Sequence, residues 1–186
     1  MDAAAPLDKH QELLWVLRAQ QRDPEAFRCL VDAYEERLLY FIRRFVKDID
    51  DALDVLQDVW LTMFRRLPHL HAPAAFRVWL YQVAHDKAVS LIRDQRRETQ
   101  AVEALGDSLD AEPAGDGTVF EDAELVHRGL QTLSPEHREV LTLHFLEDLR
   151  LEEIAEILRC PIGTVKSRLH YAKKCLRQDM EKRAYG

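Results

Sequence analysis

Apolar positions recur at helical spacing along most of the chain. The clearest case is DLRLEEIAEILRCPIGTVKSRLHYAKKCL, where Leu151, Ile154, Ala155 and Leu158 form one stripe. After Cys160-Pro161 a second stripe follows, made of Ile162, Val165, Leu169, Ala172 and Leu176. Two short stripes on either side of a tight break predict a helix-turn-helix. Just upstream, Ser134-Pro135-Glu136 supplies an N-cap, a proline at the first helical position and an acid in the first turn. It opens a helix carrying Val140, Leu141, Leu143, His144 and Phe145 that should buttress the motif.

The same start signal, Asp23-Pro24-Glu25, predicts a helix in the N-terminal half. Its apolar face is Phe27, Leu30, Val31, Tyr34, Leu38, Phe41, Ile42 and Phe45, and it should run through about Lys47. The turn Asp48-Ile49-Asp50 begins a second helix with Ala52, Leu56, Val59, Trp60, Met63 and Leu67 inward, ended by Pro68. Beyond the loop LPHLHAPAA lies a third, with Phe76, Trp79, Leu80, Val83, Ala84, Leu91 and Ile92 as its core stripe. The fold class is therefore all-α.

Composition agrees with a helical protein: 186 residues, 47% hydrophobic, with only six glycines and seven prolines. No run reaches the apolar length of a membrane span, and MDAAAPLDKHQELLWVL lacks the order of a secretory signal, so a cytoplasmic protein is expected. Cys29, Cys160 and Cys175 are scattered and read as packing residues. His69 and His71 lie in a proline-flanked loop with no cysteine or carboxylate at ligand spacing, so neither a metal nor any other cofactor is expected.

Charge divides the chain further. The net charge is -7, yet Glu98 to Glu124 holds nine acids and no Lys or Arg, which leaves +2 for the remainder. From Arg159 onward eight basic residues face two acids. The acidic stretch also holds three glycines and a proline among few large apolar residues, too little to offset the entropy of ordering. It reads as a linker over 98–124, between a helical domain at 1–97 and a smaller one at 125–186.

The polar faces carry the candidate chemistry. At about 100° per residue, the last helix turns Ser167, His170, Tyr171 and Lys174 away from its apolar stripe, flanked by Lys166 and Lys173. Hydroxyl, imidazole, phenol and ammonium groups suit a DNA major groove bounded by phosphates. Arg168, nearer the core edge, reads as a phosphate contact or a structural pair. In the N-terminal half, Asp54, Gln57, Asp58 and Leu61 make a stripe that suits a partner protein. The third helix presents Arg77, Tyr81, His85, Asp86 and Lys87 on its polar side and Arg93, Arg96 and Arg97 toward its end, a mixture suited to nucleic acid. No HExxH or paired carboxylate-histidine set points to a hydrolase.

These segments resemble the group IV, or extracytoplasmic-function, sigma factors of bacterial RNA polymerase. LSPEHREVLTLHFLEDLRLEEIAEILRCPIGTVKSRLHYAKKCLR resembles their region 4, DALDVLQDVWLTMFRRL their region 2.2, and FRVWLYQVAHDKAVSLIRDQRR their regions 2.3 and 2.4. The likeness covers about residues 23–97 and 127–177.

The resemblance implies a non-enzymatic initiation factor with two helical domains that dock on core polymerase, on the clamp helices of its largest subunit and the flap of its second-largest. Asp54, Gln57, Asp58 and Leu61 would meet the clamp helices. Tyr81, His85, Asp86, Lys87, Arg93, Arg96 and Arg97 would bind the minus-10 element, beside a loop from Pro68 to Ala75 that would receive a flipped base. Thr164, Lys166, Ser167, Arg168, His170, Tyr171, Lys173 and Lys174 would bind the minus-35 element. The acidic linker would thread the basic interior of the polymerase, and an anti-sigma factor would clamp both domains. The chain departs from the pattern at Tyr171, where Arg is common, and at His85-Asp86, where a pair containing Asn is common. Arg150 replaces a frequent Ser cap, leaving Asp148 as the candidate cap, and Arg159 stands for a frequent Gly in a turn that needs left-handed backbone. The alternative is a helix-turn-helix activator of response-regulator type, whose receiver half would show alternating strands and helices that residues 1–97 lack.

Overall fold

The computed structural model describes residues 8–103 and 133–184, and all its regular elements there are helical. They belong to two compact units, within Met1–Ser108 and Leu109–Gly186. Residues 104–124 of the expected linker lie outside the described residues.

The first unit holds α1 (Lys9–Gln20), α2 (Pro24–Ile42), α3 (Ile49–Arg66) and α4 (Phe76–Glu103). A three-residue connection joins α1 to α2. Arg22 adopts φ 66°, its N–H donates to Ala19 O, and Asp23 N–H donates to Arg18 O, so the last carbonyls of α1 are satisfied by a Schellman arrangement. Asp23 then caps α2, accepting from the N–H groups of Glu25 at 3.0 Å and Ala26 at 3.3 Å. The Arg18 guanidinium, 2.7 Å from the same carboxylate, and those N–H donors hold its pKa below the ordinary value of 3.8.

At its far end α2 stops at Ile42, five residues short of the expected Lys47. Arg44 and Phe45 N–H donate to Phe41 O and Ile42 O, tightening the last turn, while Arg44 Nε donates to Tyr40 O and its guanidinium lies 4.0 Å from the Tyr40 ring centroid. Asp48 caps α3 as the pattern predicts.

The core of this unit gathers Leu30, Tyr34, Leu38, Phe41 and Ile42 of α2, Ala52, Leu56, Val59 and Met63 of α3, and Phe76, Leu80, Tyr81, Ala84 and Ala88 of α4. Edge-on ring pairs Tyr34–Phe76 and Phe41–Tyr81, at 5.8 and 5.3 Å, fix how α4 meets α2. α1 also joins the core through Val16 and Ala19. It adds a buried cluster: Arg77 of α4 lies 2.7 Å from Glu12 and donates to Tyr34 Oη at 3.1 Å. Burial first, then the Glu12 charge, pushes the Tyr34 phenol well above its usual range. Burial works against the Arg77 cation, but Tyr34 and Glu12 outweigh it and raise its pKa.

The second unit holds α5 (Pro135–Leu141), a wider π-type turn (Thr142–Leu146), α6 (Leu151–Ile157) and α7 (Ile162–Ala184). Ser134 occupies the cap position of α5 but makes no capping bond with its side chain. The π-type turn leaves Phe145 more than half exposed rather than inward. Asp148, with φ 50°, does not cap α6. Instead the Glu153 carboxylate reaches back and accepts from Arg150 N–H at 2.7 Å, one half of a capping box whose other half needs an acceptor that Arg lacks. The exit from α6 is left-handed at Arg159, φ 50°, with Arg159 and Cys160 N–H donating to Glu156 O and Ala155 O. Val140, Leu143, Ile154, Ile157, Val165, Leu169 and Ala172 form the core.

Candidate functional site

The helix-turn-helix leaves one long face of α7 open. Val165, Leu169 and Ala172 are buried, whereas Lys166, Ser167, His170, Tyr171, Lys173 and Lys174 are exposed and Thr164 and Arg168 are half-buried, the latter in keeping with a position at the core edge. Ser167 Oγ donates to Thr164 O at 2.9 Å, so its hydroxyl hydrogen is used within the helix and its lone pairs face outward. Tyr171 contacts two histidines, stacked on His137 of α5 and edge-on to His170. Lys173 departs from its neighbours, its ammonium resting 5.0 Å from the Phe145 ring centroid.

On α3, Asp54, Gln57, Asp58 and Leu61 are all exposed. They continue into a wider apolar margin, because Leu53 and Phe64 are exposed as well. A groove of about 410 Å³ runs between α3 and α4, lined by Asp51, Asp54, Gln57, Asp58, Lys87 and Asp94 among others. Asp58 and Lys87 meet across it at 2.9 Å. The exposed stripe of α3 and the polar side of α4 are thus joined by an ion pair that helical spacing within either element does not reveal.

Two assignments on α4 need correction. Tyr81 is fully buried against Phe41, so it cannot touch DNA. Arg77 lies inside, held by Glu12 and Tyr34. Both errors have one cause: α4 is packed by α2 as well as α3, with Glu12 of α1 reaching it too, so its buried arc is wider than the aliphatic stripe indicated. Trp79, Val83, Leu91 and Ile92 fall to its half-buried margins.

His85 is mostly covered, its side chain 16% exposed and edge-on to Phe45, whereas Asp86 is 43% exposed. Arg93, Arg96 and Arg97 are exposed, and α4 continues to Glu103, past the expected boundary at residue 97. Gln20 of α1 carries no signal in the local sequence pattern. Its amide donates to Leu67 O and Leu70 O at 3.1 and 2.8 Å and so braces the loop before α4. Only a recognised α1 could have pointed to it.

A helical unit with an exposed acidic-apolar stripe and basic residues along one helix, together with a helix-turn-helix unit, has the architecture of a two-domain helical transcription factor. The family profile described as Sigma-70 region 2 matches residues 30–98, and that described as Sigma-70, region 4 matches residues 123–176. The chain is 32% identical over 181 residues to RNA polymerase sigma-H factor of Pseudomonas aeruginosa, covering 91% of this chain and 94% of the relative. It is 29% identical over 174 residues to ECF RNA polymerase sigma-E factor of Escherichia coli K12, covering 87% and 90%.

Among solved structures, CnrH in complex with the cytosolic domain of CnrY matches with a TM-score of 0.63 at 22% identity, over 92% of this chain and 98% of that one. The sigma factor RpoE in complex with the anti-sigma factor NepR from Bartonella quintana matches with a TM-score of 0.65 at 24% identity, over 83% and 96%. The chain belongs to the sigma-70 family of RNA polymerase sigma factors, in its extracytoplasmic-function group. Sigma factors are initiation factors without catalytic activity, and the response-regulator alternative is set aside. No helix among the described residues is long and apolar enough to cross a membrane.

Proposed function

We propose that this sigma factor docks on core RNA polymerase through Asp54, Gln57, Asp58 and Leu61 of α3 and reads the minus-35 element with the open face of α7. The observation that carries the second part is the separation on α7 of a buried apolar side from a face bearing Ser167, His170, Tyr171 and Lys174. A helix of that kind in a helix-turn-helix enters the major groove, where side chains near its N-terminus reach base edges and lysines further along meet phosphates. With its hydrogen committed to Thr164 O, Ser167 acts as an acceptor and favours a base presenting an exocyclic amine. Lys166 and Tyr171 read neighbouring bases; Thr164, Arg168, Lys173 and Lys174 anchor the backbone.

On α4, Asp86, Lys87, Arg93, Arg96 and Arg97 form the minus-10 surface, and His85 supports it from beneath. The flap of the second-largest subunit is the contact for the second unit. The protein acts in the cytoplasm, with residues 98–124 connecting its domains and an anti-sigma factor as its inhibitory partner, as CnrY and NepR accompany the two solved relatives.

Reconstituted transcription tests this reading. Core polymerase plus this chain, given a random-sequence promoter library, should initiate at a restricted set of sites sharing two elements. A core preparation that is active with another sigma factor but shows no initiation dependent on this chain would overturn it.

A further inference from the structure

We infer that His137, on α5 and outside the recognition helix, is a specificity-determining positioning residue: it stacks on Tyr171 and fixes the direction in which the phenol meets the minus-35 DNA. The inference rests on the proposed base-reading role of α7. Tyr171 is 55% exposed, and an exposed aromatic side chain on a helix ordinarily populates more than one staggered rotamer. Here two other rings contact it. The His137 imidazole lies with its centroid 6.3 Å away and its plane inclined by 29°, an offset stack, while His170 meets the same ring edge-on at 5.7 Å and 77°.

These two contacts differ in kind. His170 precedes Tyr171 on the same helix and moves with it, so it cannot tie the phenol to anything outside α7. His137 projects from the third position of α5, whose Val140 and Leu141 are buried in the core of the unit. Its stack therefore references Tyr171 to the rigid body of the domain rather than to its own helix. Discrimination by a side chain requires that its polar atom be held in one place before DNA arrives, since a mobile group finds a partner on several bases. An arginine at this position would bring a planar fork of donors; a tyrosine brings one hydroxyl, whose selectivity depends on ring direction.

The test is a selection from a randomised minus-35 library, with holoenzymes built from the full chain carrying His137→Gln, His137→Phe, Tyr171→Ala, or His137→Gln with Tyr171→Ala. Thermal melts of each variant accompany it. Tyr171→Ala should relax preference at one or two base positions. His137→Gln, which keeps a helix-compatible polar side chain but no ring, should relax the same positions by about three- to tenfold, the size of one aromatic pair. His137→Phe should restore the preference, and the double variant should be no more relaxed than Tyr171→Ala alone. If Tyr171→Ala relaxes the preference while a folded His137→Gln keeps it, the positioning role is overturned and the reading role of Tyr171 stands. Unchanged preference in Tyr171→Ala overturns both. Relaxation by His137→Gln at base positions that Tyr171→Ala leaves intact also overturns the inference, as does failure of a folded His137→Phe to restore it.

Discussion

Arg159 carries the left-handed conformation that ends α6, at φ 50°. For an L-residue with a side chain this backbone costs about 1 kcal/mol or more, because Cβ crowds the following carbonyl, and glycine avoids the clash. Arg159→Gly should therefore stabilise the second unit by about 0.5–1 kcal/mol, after allowing for the greater freedom that glycine gives the unfolded chain. Urea denaturation followed by circular dichroism checks this, and a lower midpoint at unchanged slope would count against it. The position of this strain was legible in the sequence, since a helix that must stop before Pro161 leaves few residues to reverse direction. The cap of α6 was less legible. Asp148 is a good capping residue by type, but its left-handed backbone removes it from that role, and Glu153 satisfies Arg150 N–H from inside the helix. A local sequence motif names the chemistry that can cap; only the path of the chain decides which carboxylate reaches.

Among the elements, α4 shows where reading from periodicity stops working. Its start after the proline-rich loop, its apolar content and its basic end were all visible, but the direction of its buried face was not. Tyr81 and Arg77 have polar atoms, and a helix packed on a single neighbour would turn them to solvent. Packing by α2 and the approach of Glu12 from α1 bury both. The Arg77–Glu12 pair, with side chains 14% and 10% exposed, follows from this arrangement. Arg77→Ala would leave the buried Glu12 carboxylate without its counter-charge, at a cost of about 3 kcal/mol. Replacing Glu12 by Leu in the same chain should recover much of that loss, because no buried charge then remains. A double-mutant cycle by chemical denaturation measures the coupling, and additive losses would contradict the account. The contact between Asp58 and Lys87 is another matter: at 56% and 39% exposure it is worth less than about 1 kcal/mol, so it orients two surfaces without holding α3 to α4.

Across the whole molecule, the overall charge of -7 conceals a division of labour. The acids concentrate between Glu98 and Glu124, while the chain from Arg159 onward holds eight basic residues and two acids. Phosphate contacts release counterions, so each lysine that makes one steepens the dependence of affinity on salt. Lys174→Ala should weaken binding to every promoter sequence alike and reduce the slope of log affinity against log salt by about one. A change confined to one sequence would assign Lys174 to base reading instead.

The central claim is that α3 docks on polymerase through its carboxylate-apolar stripe, and the direct test is competition for core polymerase between labelled parental chain and two folded variants. Asp58→Arg reverses a charge within the stripe; Lys87→Ala removes the ion pair while leaving the stripe itself in place. The account predicts at least about a tenfold loss of core affinity for Asp58→Arg, the scale of one interfacial charge placed against its complement, and near-parental affinity for Lys87→Ala. Parental affinity in Asp58→Arg, or equal losses in both variants, would contradict it.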